Sequence, residues 1–194
     1  MNPIPLSARP GGRISELARL FTALEFAARK HRNQRRKDVH ASPYINHPIE
    51  VAAILANIGG VTDLPTLIAA VLHDTIEDTE TSPEELETHF GPEVRALVVE
   101  VTDDKRLPKE VRKQRQIEHA PGASVRAKIL KLADKSVNVF DVVHDPPSDW
   151  TVMRRREYIE WAERVVAGCR GVNEALERHF DDVVATGKTA VGRR

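Results

Sequence analysis

Apolar residues recur at helical spacing along almost the whole chain. Leu17, Leu20, Leu24, Ala27 and Ala28 form one stripe, and Val51, Ile54, Leu55 and Ile58 form another. Punctuation residues agree with this reading. In "NHP" at 46–48, Pro48 falls where the first turn of a helix tolerates it, and "GG" at 59–60 ends that helix. "SPEE" at 82–85 predicts a helix start, with Ser82 as cap, Pro83 at the first position and Glu85 completing a capping box. Gly91-Pro92 divides two helices. Further helical runs cover roughly 108–119, 124–143, 150–169 and 172–185, and no period-2 strand, internal repeat or low-complexity tract is evident. The pattern predicts an all-α single domain of about eight to ten helices over 14–186. A flexible leader is expected at 1–13 and a flexible tail at 187–194.

Composition changes this picture only by exclusion. A formal net charge of +0 gives no reason to expect a nucleic-acid footprint or a membrane-surface protein. No apolar run approaches the roughly 18 residues of a membrane span. Cys169 is the only cysteine, so there is no intramolecular disulfide and no thiolate metal cage, and a reducing cytoplasm is the expected location. Any metal must be held by imidazole and carboxylate.

One stretch departs from the simple alternation, "AAVLHDTIEDTETS" at 69–82. On a helix, His73, Asp74, Glu77 and Asp78 fall within an arc of ~140°, opposite Ala69, Val71, Leu72 and Ile76. A solvated face is the ordinary explanation of a charged stripe. Against it, no Lys or Arg stands at i+4, and the preceding "LIAAVL" is apolar all round, as in a buried helix. A metal or catalytic site and a solvated face both remain open on spacing alone. Elsewhere, His47 precedes Pro48 at the mouth of a helix. Asp134 interrupts the apolar "KILKLADKSVNVFDV", with Asn138 one turn later on the same face.

"NHP", "LHDTIEDT" and "KLADK", in this order, resemble the HD-domain (p)ppGpp hydrolases of the RelA/SpoT superfamily, in their stand-alone small alarmone hydrolase form. The resemblance covers about residues 20–175 and includes "FAARKHRNQRRKD", "PYINHPIEVA", "EELETHFGPEVRALVVEVTDDK" and "EYIEWA". It implies that His47, His73, Asp74 and Asp134 bind one divalent metal, Mn2+, and that Glu77 and Asp78 orient the attacking water and handle its proton. Support of the ligand histidines is the other role open to that pair. It further implies substrate contacts from Arg36, Lys37, Lys105, Asn138, Arg154 and Tyr158, with Arg32 a weaker candidate. The remaining histidines, His31 among them, match no family ligand, and Cys169 and Trp161 read as packing residues.

The implied activity is Mn2+-dependent removal of the 3′-pyrophosphate of ppGpp or pppGpp, a guanosine-3′,5′-bis(diphosphate) 3′-diphosphatase. The implied partner is a small-molecule nucleotide, with no nucleic acid and no membrane. Two alternatives stand beside it: an HD phosphohydrolase acting on another nucleotide, such as the 2′-phosphate of NADPH, or a nucleotide sensor without turnover. The chain departs from the family pattern at Phe140, where an Arg is common, and at Ser136, where a larger residue is expected. These departures put local substrate contacts or helix packing in question.

Overall fold

The computed structural model describes residues 15–192. The described residues form helices α1 (Glu16–Lys30), α2 (Asn46–Asn57), α3 (Leu64–Leu72), α4 (Thr75–Asp78), α5 (Pro83–Phe90), α6 (Pro92–Val101), α7 (Lys109–His119), α8 (Val125–His144), α9 (Val152–Ala167) and α10 (Glu174–Gly192), with a 3-10 turn at Ala120–Gly122. The expected leader at 1–13 lies outside the described residues. No strand ladder occurs among them; a single bridge, Arg35 to Pro43, pinches the loop between α1 and α2.

Caps set many of the helix starts. Ser15, Asp63, Ser82, Ser124 and Thr151 each accept a hydrogen bond from the backbone N–H three residues on. At the predicted capping box, Ser82 accepts from Glu85 N, while the Glu85 carboxylate accepts from Lys30 Nζ at 2.7 Å. That ties α5 to the end of α1.

Two helices form the centre. α3 is buried along nearly its whole length and packs against α1, α2, α6 and α8; α8 packs against α2, α6, α9 and α10. Ile68, Leu72, Leu130, Leu132, Ile159 and Phe180 are among the most buried core side chains. α8 buries polar positions as well as apolar ones, since Lys131, Lys135 and Ser136 lie inside with Leu132 and Val139. The polar residues have to be explained by the site.

Two expectations are corrected. The tail expected from 187 is, as far as Gly192, the last two turns of α10: Val191 is buried, and Arg156 Nη2 donates to its carbonyl at 2.8 Å. Gly187 lies so close to α8 that an added Cβ would come within 2.9 Å of Val143 Cγ2. The helix carrying "HDTIED" is also not continuous. α3 ends at Leu72 because side chains take its last carbonyls: His73 Nδ1 donates to Ala70 O at 2.8 Å and Thr75 Oγ1 to Leu72 O at 2.7 Å. Asp74, at φ −95° and ψ −2°, lies in the sparsely populated bridge region between the two helices.

Candidate active site

The break after α3 aims His73 and Asp74 at the start of α2 and the middle of α8. His47 Nε2 lies 3.2 Å from Asp134 Oδ1 and 3.7 Å from Asp74 Oδ2; His73 Nε2 lies 3.0 Å from Asp74 Oδ2 and 3.8 Å from Asp134 Oδ1. His47 and His73 are 2% and 6% exposed, so these charges have little water to share. His47, His73 and Asp134 each offer a ligand atom within 4.8 Å of the others, a group that could hold a divalent metal. Asp74 stands at the edge of that group, its Oδ2 also accepting from Tyr44 Oη at 2.6 Å.

The donor set fits a cation. With Nδ1 donating to Ala70 O, His73 presents the lone pair of Nε2 toward the carboxylates. That buried Nε2 has no hydrogen-bond partner although Asp74 Oδ2 is 3.0 Å away, as expected for atoms that converge on a shared point rather than bond each other. His47 Nδ1 is likewise buried without a partner. Electrostatics carry the same sign. Burial opposes ionisation of Asp74 and Asp134, yet His73 beside the first, and Lys135 and His47 beside the second, hold both carboxyls below the usual range. In the metal-free chain, burial lowers His73 but Asp74 more than offsets it and raises the imidazole to about 9, so Nε2 carries a proton that a bound cation would displace.

Glu77 and Asp78 project from the single turn of α4 beside this cluster. Glu77 accepts from Asp103 N at 3.2 Å and from Arg112 Nη1 at 3.4 Å. Burial, with help from Asp74, pushes its carboxyl up to about 7. Asp78 accepts from Gln34 Nε2 at 2.7 Å and pairs with Lys105.

Two adjoining cavities, of about 540 and 450 Å³, meet at the cluster and share Lys37, Tyr44, His47, Asn138, Trp150 and Tyr158. Arg36 and Lys105 line the first, Arg154 the second, so every metal-binding, catalytic or substrate-contacting residue expected from the sequence except Arg32 borders one or the other. Several are already engaged. Arg36 pairs with Asp141, Asn138 Nδ2 donates to Asp134 Oδ1 at 2.6 Å, and Arg154 stacks 4.5 Å over Trp150. Burial raises the Tyr158 hydroxyl to about 12, which keeps it protonated and able to donate.

The departures from the family pattern resolve locally. Phe140 is half exposed and stacks on His144 with centroids 4.0 Å apart, while buried Ser136 donates to Leu132 O at 2.8 Å.

Sequence reasoning missed the support behind the site. Lys135 Nζ donates to Asp134 Oδ2 at 2.7 Å from inside the core. His31, read as unremarkable, is buried: its Nδ1 meets Gln34 Oε1 at 2.6 Å and its ring packs on Tyr44, so it braces the groups that hold Asp78 and Asp74. The available signals were a tyrosine three residues before His47 and a lysine adjoining Asp134.

Comparison with known proteins places this architecture. The family model for the HD domain matches residues 23–159, and the chain belongs to that family. Among its relatives are the guanosine-3′,5′-bis(diphosphate) 3′-pyrophosphohydrolases MESH1 of Homo sapiens, 56% identical over 84% of this chain and 91% of that one, and of Drosophila melanogaster, 49% identical over 86% and 93%. A solved structure of a metazoan ortholog of SpoT, which hydrolyzes ppGpp and plays a role in starvation responses, matches with a TM-score of 0.85 at 46% identity, covering 93% of this chain and 98% of that one.

Proposed function

We propose that this chain hydrolyses the 3′-pyrophosphate of ppGpp or pppGpp, giving GDP or GTP and pyrophosphate. The observation that carries the reading is the convergence of His47, His73, Asp74 and Asp134, with the buried His73 Nε2 unbonded, at the junction of two cavities bordered by cations. The activity named for the MESH1 relatives supports the substrate. These four side chains are assigned as metal ligands. The mixed imidazole and carboxylate donors suit a divalent transition metal, Mn2+ by the family resemblance, which when bound would supply positive charge to the phosphate and acidify the attacking water.

The chain's own residues do the rest. Glu77, raised to about 7, accepts a proton from that water near neutral pH, while Asp103 N and Arg112 fix its orientation. Asp78, held by Gln34 and Lys105, orients the water. A water oxygen bonds to the phosphorus attached to O3′, the P–O3′ bond breaks, and O3′ takes up a proton as the nucleotide leaves. Arg36, Lys37, Lys105 and Arg154 grip phosphates, and Asn138 and Tyr158 hydrogen-bond the nucleotide. A cytoplasmic location belongs to the same proposal, supported by the single buried cysteine; no helix among the described residues is long and apolar enough to cross a membrane.

The test is incubation of the purified protein with ppGpp, with and without Mn2+, alongside Asp74→Ala and Glu77→Gln. Release of GDP and pyrophosphate only with metal, reduced at least ~100-fold in both variants, supports the assignment. Intact ppGpp alongside loss of phosphate from NADPH would shift the substrate and keep the site.

A further inference from the structure

Most cations in and around the paired cavities already have an internal partner. Lys135 bonds Asp134, Arg36 pairs with Asp141, Lys105 with Asp78, and Arg112 with Glu77. Lys37, Lys109 and Lys113 form no ion pair among the described residues, but the first two are exposed and water compensates them, while the half-buried Lys113 lies 5.2 Å over the Trp161 ring. Lys131 is different. It lies on α8 one turn before Asp134, is 8% exposed, and forms no ion pair or hydrogen bond among the described residues.

The stem of Lys131 is buried, and its charge is opposed by burial and by Lys135 and favoured by Asp134 and Asp103. No carboxylate among the described residues comes within ion-pair distance of its ammonium. The surroundings suggest what the ammonium meets. Lys131 borders both the cavity that holds the metal-ligand cluster and a third cavity of about 540 Å³ behind it, and Arg112 and Gln116 line the same two spaces. Arg112 Nε and Gln116 Oε1 are buried there without hydrogen-bond partners. Lys131, Arg112 and Gln116 border both spaces together with Asp103, so this mixed lining of cations, an unpaired amide oxygen and one carboxylate suits a hydrated or protonated anion.

We infer that Lys131, with Arg112 Nε beside it, forms the subsite for the distal phosphate of the pyrophosphoryl group, holding the phosphate that is not attacked. The inference rests on the proposed hydrolysis at a 3′-diphosphate. It makes Lys131 a specificity residue: a substrate with a single phosphate leaves this ammonium without an ion pair, whereas a diphosphate supplies one.

Binding of the product isolates the subsite from turnover. Inorganic pyrophosphate and inorganic phosphate are titrated calorimetrically into the Mn2+-loaded full chain and into Lys131→Met, with Tm measured for both proteins. The expected result is pyrophosphate affinity weaker by roughly 10- to 100-fold in Lys131→Met, the range of a lost charge-assisted contact. Phosphate affinity should stay within about twofold and Tm should be no lower. Equal pyrophosphate affinity in the two proteins, a parallel loss for phosphate, or no pyrophosphate binding by the parent chain overturns the inference. If pyrophosphate discrimination follows Lys131 but ppGpp is not cleaved, the subsite stands and the substrate assignment fails.

Discussion

Glu77 is the residue at which structure and chemistry are most sharply coupled. Its carboxyl, raised by burial from 4.5 to about 7, binds a proton in the metal-free folded chain at pH values where the unfolded chain has released it. Stability from this group is therefore intact below pH 4.5 and is lost as pH rises through about 7. A shift of this size corresponds to about 3 kcal/mol by pH 8, the side chain being only 18% exposed. In EDTA, Glu77→Gln should match the parent Tm at pH 5 and exceed it at pH 8. A constant offset at both pH values would show that burial of Glu77 does not set its titration. The acids of this site were legible in the sequence because a helical register with four ionisable groups and no cation at i+4 is conspicuous. Tyr44, Lys135, His31 and Lys131 were not, because each looks ordinary within its own segment and takes its meaning from a neighbour distant in sequence or from burial. Tyr44 meets Asp74 thirty residues on, and His31 acts through Gln34 on Asp78, 44 residues beyond that glutamine.

At the scale of elements, periodicity and caps located the helices well, and the misreadings arose where side chains override propensity. The run through His73 and Asp74 is helical in pattern, but His73 and Thr75 bond back to Ala70 and Leu72 and open the turn that aims the site. "GKTAVGRR" contains two glycines and reads as a tail on propensity alone. Yet Gly187 is where α10 approaches Val143 of α8 too closely for a side chain, so its low propensity is exchanged for packing. Truncation after Thr186 removes the buried Val191 and the bond from Arg156 to its carbonyl. The expected cost is about 2–4 kcal/mol, one buried valine plus one hydrogen bond and lost interhelical contact. For a chain of this length that lowers Tm by roughly 5–15 °C. An unchanged melting curve would mean that the last turns of α10 contribute nothing to the fold.

The whole molecule is organised so that its least compatible charges meet where its helices converge. His47 opens α2, His73 and Asp74 follow α3, and Asp134 lies in the middle of α8, so a cation bound among them links three elements of the core. Without it, Asp74 and Asp134 depend on His73, His47 and Lys135 for compensation. A ligand that binds only the folded state stabilises it by RT ln(1 + [L]/Kd), about 2.7 kcal/mol at a hundredfold excess over Kd. Saturating Mn2+ should thus raise the Tm of EDTA-treated protein by roughly 5–10 °C. Mg2+ at the same concentration should give a smaller shift, because two of the four donors are imidazoles and Mg2+ prefers oxygen ligands. His47→Gln removes one imidazole nitrogen while leaving the pair of Asp134 with Lys135 intact, so it should lose most of the Mn2+ shift without losing the fold. If His47→Gln retains the full shift, the metal binds elsewhere, and the convergence of α2, α3 and α8 on these four side chains needs another explanation.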